Sequence, residues 1–317
     1  MSSISVYFYD SDSSPEALLR PLYLLLAAIL VLSAASAFAQ TPALHGGPML
    51  DCGSLPCVDI AIASGKHLRM LVDTGNVNST LDAAVAKEMG LSVTPLTGAD
   101  GKPVPGYARA VLTGVMLGDA SLGKIPVLVM DLASFVKSDR VPPSHGSLSY
   151  TAFKNRLLEL DYKKKTVRIS DALTQDVTCP GFCGDLTYPT FGKDGPPIVV
   201  TTGFSINGRP LTVQIDTLFS GTMLVYPSAV ARLGLTHESE SSKKEFFKYT
   251  DDGVDMIEAE AETESFGSHV LAHKAPVFFA TPAVHEPDAL FDGTVGHALF
   301  VGTVLTLDLH SNHAWIA

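Results

Sequence analysis

Met70-Leu71-Val72-Asp73-Thr74-Gly75 is an apolar run ending in an acid and a turn, and Val213-Gln214-Ile215-Asp216-Thr217-Leu218 repeats it in the second half of the chain. Asp and Gly favour turns in every fold, so either motif alone reads as a strand end. The neighbourhoods match as well. Ser79-Thr80-Leu81, a helical stretch and Met89-Gly90-Leu91 follow the first motif; Thr222-Met223-Leu224, a second helical stretch and Leu233-Gly234-Leu235 follow the other. Each glycine falls where a helix C-cap is expected.

The correspondence continues. Leu117-Gly118 and Pro126-Val127 match Phe266-Gly267 and Pro276-Val277. Each half then closes on two alternating runs joined by a polar turn: 158–162 with 166–169, and 305–309 with 314–316. Such runs predict a β-hairpin. A period approaching half the chain is far longer than the repeat of a solenoid and fits two homologous lobes.

Two aspartates in equivalent places imply one shared site. Carboxylates held a few ångströms apart cannot both ionise, so the pair keeps one proton and can serve as general base and general acid together. That combination suits metal-free amide hydrolysis.

On these residues the chain resembles the aspartic peptidases, in particular bilobal bacterial proteins with retropepsin-like lobes. The resemblance is carried by Asp73-Thr74-Gly75, by Asp216-Thr217 with Phe219-Ser220-Gly221 behind it, and by Asp292-Gly293-Thr294-Val295-Gly296 before the last hairpin. It covers residues from about Cys57 to the C-terminus. It implies an all-β fold of two acid-protease barrel lobes facing across a cleft, each with a short helix, and catalytic roles for Asp73 and Asp216. Thr74 and Thr217 would brace the two loops, with Gly75 and Leu218 in support. Leu218 departs from the family's glycine, and Ser149 stands where the second lobe has Gly296. A cleaving endopeptidase and a peptide-binding relative that no longer cleaves are therefore both open readings.

A flap over the cleft is expected in such proteins, and residues 98–107, with Gly106 and Tyr107, read either as that hinged loop or as an exposed turn. The second-lobe equivalent is Lys243 to Gly253, with Phe246, Phe247 and Tyr249. Gly106, Tyr107, Phe219 and Ser220 are the candidate substrate contacts, the substrate being a peptide or unfolded protein.

Composition fits a packed β protein: 317 residues, 46% hydrophobic, 20 prolines and 26 glycines. The expected organisation is a signal peptide over 1–39, an N-terminal segment over 40–56, a first lobe over 57–170, a linker over 171–196 and a second lobe over 197–317. The uncharged run from Pro21 to Ala39 ends in Ala37-Phe38-Ala39 before Gln40, which reads as an export signal with a cleavage site. Asp10, Asp12 and Glu16 ahead of it leave an uncleaved anchor as the alternative, although the run is barely long enough to span a bilayer. A periplasmic or extracellular location is expected, with membrane contact only through an uncleaved segment.

In such a compartment the four cysteines, Cys52, Cys57, Cys179 and Cys183, favour disulfides. Local pairing is the simplest of three connectivities, and a bond between the pairs would tie the lobes together. A four-cysteine zinc site is disfavoured because the second spacing lacks a ribbon context. No cofactor or metal is expected.

The net charge of −11, about −9 without residues 1–39, disfavours nucleic-acid binding. Glu258, Glu260, Glu262 and Glu264 alternate along one strand and read as a solvated face. The ten histidines form no constellation and read as surface residues, and no Gly-x-Ser-x-Gly elbow supports serine catalysis. Both aspartates lie in one chain, so a monomer is expected.

Overall fold

The computed structural model describes residues 42–53, 55–135, 144–190, 195–233, 244–247, 254–280 and 290–317. The run read as an export signal, with its expected cleavage site, lies outside these residues.

Each half of the chain closes into a barrel of six strands in the same order. In the first lobe the order is Leu55–Ala61, His67–Asp73, Gly146–Ser149, Ser79–Asp82, Ala120–Met130 and Pro103–Leu117, with Ile60 opposite Leu117 closing the ring. In the second it is Val200–Ile206, Arg209–Asp216, Gly293–Gly296, Met223–Val225, His269–Ala280 and Val254–Phe266, closed by Ile206 opposite Glu264. Alternation drives both barrels: Leu68, Met70 and Val72 are buried between exposed His67 and Arg69, and Leu211, Val213 and Ile215 repeat the pattern. Each fully buried side chain of this size contributes about 1.5–3 kcal/mol.

Local signals set the connections. Asn207 and Gly208, at φ +50 and +73, form the two-residue turn before Arg209–Asp216, a conformation that Asn and Gly adopt readily. Helix Ala83–Glu88 starts at Asp82, whose carboxylate accepts from the N–H groups of Ala84 and Val85. It ends at Gly90, φ +63, as expected. Helix Pro227–Leu233 opens on proline, which has no N–H to leave unpaired; its expected cap, Gly234, lies outside the described residues.

The two expected closing hairpins are present, Leu157–Asp161 with Thr166–Ser170 and Val304–Asp308 with His313–Ile316. They also pair with each other, Leu158 opposite Leu307 and Leu160 opposite Leu305, so one sheet runs from lobe to lobe. Two further strands extend it, one from the N-terminal segment and one from the linker. Leu44–Pro48 pairs with Thr166–Ser170, and Gly184–Thr187, within the expected linker, pairs with His313–Ile316 and Val200–Ile206. Their runs, of five and four residues, are too short to carry much periodicity, and tertiary pairing supplies what local pattern does not. The buried core is continuous through this sheet.

Cys52 pairs with Cys57 and Cys179 with Cys183, Cα atoms 5.9 and 6.2 Å apart. This is the local connectivity.

The glutamate row needs correction at one end. Glu260 and Glu262 are exposed, but Glu264 is fully buried. The register with His269–Ala280 shifts between Glu264 and Ser265, just where the strand swings over to close the barrel. Glu264 lies opposite Ile206 and two residues before Phe266, both buried, so where the barrel closes its side chain shares their inner face. Neither carboxylate oxygen of Glu264 has a hydrogen-bond partner among the described residues. The Thr222 hydroxyl lies near but gives its hydrogen to Pro276 O, and it offsets little of the burial that pushes the Glu264 pKa up to about 8.

Candidate active site

Asp73 and Asp216 end equivalent strands, each running parallel to the strand beside it in the barrel: Asp73 lies opposite Ser149 and Asp216 opposite Gly296. The turns that follow meet at the lobe boundary. The Thr74 N–H donates to the Thr217 hydroxyl and the Thr217 N–H to the Thr74 hydroxyl, both at 3.1 Å. The Thr74 hydroxyl donates to Ile215 O at 2.8 Å, and that of Thr217 to Val72 O. Both threonines are fully buried, so these bonds operate where water cannot compete.

Gly75 makes room for the other lobe's acid. A Cβ there would lie 2.4 Å from Asp216 Cγ, and the Gly75 carbonyl accepts from Gln214 Nε2 at 2.8 Å. The Leu218 N–H donates to Asp216 Oδ1 at 2.8 Å, with the Phe219 N–H at 3.3 Å. On the other side, backbone N–H groups of Gly75 and Asn76 and the Ser147 hydroxyl favour the charged form of Asp73. Burial outweighs these donors. It raises both carboxyls, and the charge of Asp216 lifts Asp73 further, well above the usual carboxylate range. Such a pair holds one proton between its members.

The departures from symmetry have physical reasons. At Gly296 a Cβ would meet Gly221 O and Phe219 O, both at 2.3 Å, so glycine is required. At Ser149 the first lobe's loop leaves room for a hydroxyl, which lies 3.1 Å from Val77 O, 3.2 Å from Ser79 Oγ and 2.7 Å from Thr151 Oγ1. Leu218 is half-buried and packs on the cluster of Cys52, Leu55, Cys57 and Leu71.

Of the candidate substrate contacts, Ser220 and Gly106 are exposed and Tyr107 is half-buried. Tyr107 lies opposite Met130 at the root of the hairpin; the tip is 98–102, held by a bond from Gly98 N to Lys102 O. Phe219 is 6% exposed, its ring edge-on to Phe278 at 6.4 Å. The second-lobe flap candidate falls partly on Lys244–Phe247, a strand paired with 254–257; its tip, with Tyr249, lies outside the described residues.

Two neighbours of the site escaped the reading of the sequence. His297 is buried, not a surface residue, with its N–H and Nδ1 at 3.0 and 3.1 Å from Phe219 O; burial lowers its pKa, so the neutral ring is favoured. Its position directly after Gly296 was the available signal. Ser147, 2.9 Å from Thr80 Oγ1, was unmarked because serine on a short strand has no distinguishing pattern.

No curated protein matches the chain. Residues 58–151, less than a third of the chain but including Asp73, Thr74, Gly75 and Ser147, match the family model described as aspartyl protease.

Proposed function

We propose that the chain is an aspartic endopeptidase in which Asp73 and Asp216 share one proton and activate a water for attack on a peptide bond. The observation that carries the reading is the reciprocal Thr74 and Thr217 bonding, which joins two equivalent acid-bearing loops into one site. The first-lobe aspartyl protease match supports a protease-type enzyme in general.

In this reading the ionised member of the pair takes a proton from the water as its oxygen attacks the carbonyl carbon. The protonated member donates to the carbonyl oxygen, giving a neutral tetrahedral diol. Collapse of the diol returns a proton to the leaving nitrogen, breaks the C–N bond and restores the shared proton. The backbone N–H groups behind each carboxylate fix its orientation before reaction, so little reorganisation is needed. An extended peptide would lie between the lobes, hydrogen-bonding as an added strand, with 98–102 closing over it. The disulfides and the leader-like run support action in the periplasm or outside the cell.

The test is cleavage of an unfolded protein mixture by the chain from Gln40 to Ala317, from acidic to neutral pH, beside Asp73→Ala and Asp216→Ala. Cutting that both substitutions abolish is the expected result. Peptide binding with no cutting would replace this reading with that of a non-cleaving relative, the outcome Leu218 left open.

A further inference from the structure

Leu218 occupies the place of Gly75, two residues beyond its aspartate, yet the two positions meet different surroundings. Gly75 lies under the Asp216 carboxyl, with no space for a side chain. Leu218 instead reaches out of the second lobe into an apolar seat on the first. Cys52 and Cys57 lie in that seat, fully buried and bonded to each other across the hairpin of Leu50–Cys52 and Leu55–Ala61. Leu71 lies there too, opposite Cys57 and two residues before Asp73. Leu218 is not among the residues at positive φ, and its N–H still serves Asp216, so the leucine costs the loop neither backbone strain nor its carboxylate bond.

We propose that Leu218 and the Cys52–Cys57 disulfide act as one inter-lobe clamp that sets Asp216 against Asp73, making Leu218 a positioning residue rather than a defect in the motif. Leu218 fixes the second-lobe loop against a surface that is rigid because the hairpin is cross-linked. That surface is continuous with the strand carrying Asp73. The same side chain also excludes water from that side of the acid pair, which helps to keep both carboxyls raised.

The activity readout rests on the peptidase reading, but the clamp can be measured without turnover. The experiment is a double-mutant cycle of Leu218→Gly against Cys52→Ala with Cys57→Ala, read by thermal unfolding, by 13C titration of the Asp73 and Asp216 side chains, and by cleavage. Leu218→Gly is expected to lower kcat roughly tenfold with little change in KM, since misplacement affects chemistry more than peptide binding. The carboxyl titrations, and with them the alkaline limb of the rate profile, should move to lower pH. The cysteine variant should do the same, and the combined variant should be little worse than either. Leu218→Met, which refills most of the seat, should recover most of the loss.

Independent, multiplying losses would overturn the clamp, as would a Leu218→Gly protein with unchanged carboxyl titration. If the cysteine variant does not fold, the titrations of Leu218→Gly and Leu218→Met decide. If the unaltered chain cuts nothing, the peptidase reading fails alone, and unfolding and titration still decide the clamp.

Discussion

Thr74 and Thr217 hold each other by backbone and hydroxyl alike: each N–H donates to the other's Oγ1 at 3.1 Å, and each hydroxyl passes its own hydrogen to a carbonyl of the opposite lobe. The pairing is self-complementary, so the lobes are joined by a local twofold just where the two acids approach. Replacing either residue by valine keeps the shape and leaves an N–H and a carbonyl of the other lobe without partners. A buried orphan costs about 1–3 kcal/mol. Thr74→Val and Thr217→Val are each expected to lower stability by that order and cleavage by roughly 10²-fold, through misplacement of the acids. The double variant should be less than additive, because the two residues brace one junction and either substitution alone already loosens it. Urea unfolding and initial cleavage rates of the three proteins check this.

Gly75→Ala tests the close approach of the lobes. The new Cβ would stand 2.4 Å from Asp216 Cγ and 2.7 Å from Oδ1, so the acid or its loop must move. Cleavage is expected to disappear, with stability falling by about 1–3 kcal/mol as for other overpacked sites. Gly47→Ala, where no described atom lies within 4 Å of the added carbon, is the control and should leave both unchanged.

The repeated motif made the architecture legible before any coordinate: an apolar run ending in Asp-Thr recurs only if two strands end alike, and Ser149 and Gly296 do lie opposite Asp73 and Asp216. The features left unread depend on partners distant in sequence. Gly184–Thr187 becomes a strand only because His313–Ile316 and Val200–Ile206 offer it edges. Glu264 faces inward because its partner across the closing pair is buried Ile206, which the glutamate row by itself cannot reveal. The contact of the Phe219 ring with Phe278 likewise joins residues far apart in the chain. The seat that Leu218 fills is built by the other lobe from Cys52, Leu55, Cys57 and Leu71, far from the motif in sequence.

The raised acids predict opposite effects on activity and stability. Asp73 has a folded pKa well above its unfolded value, so the stability it allows is full below about pH 4 and is lost as pH rises through the folded value. Asp73→Asn removes that loss. The variant is expected to be inactive, to match the unaltered protein near pH 4 and to exceed it near pH 7. Asp216→Asn should behave alike, because it also removes the charge that lifts Asp73. Unfolding midpoints at the two pH values test it; a variant less stable near neutrality would show that the carboxyl contributes more through its bonds than burial takes away.

Glu264 supplies a second pH dependence in a different place. It is fully buried, its oxygens have no partner among the described residues, and burial lifts it to about 8. A carboxyl raised in the folded state leaves stability intact below its unfolded value, near 4.5, and erodes it as pH climbs toward the folded one. The slope approaches about 1.4 kcal/mol per pH unit within that window and flattens above it. Glu264→Gln keeps the shape and cannot ionise, so urea midpoints between about pH 5 and 8 should fall less steeply in the variant than in the unaltered chain. The first lobe gives the internal comparison: Val115 holds the corresponding place, also fully buried, so the loosening due to Glu264 should be confined to the second barrel. Hydrogen exchange across 254–266 should therefore accelerate toward pH 8 while exchange across 103–117 changes less, and equal acceleration in both would exclude Glu264 as the source.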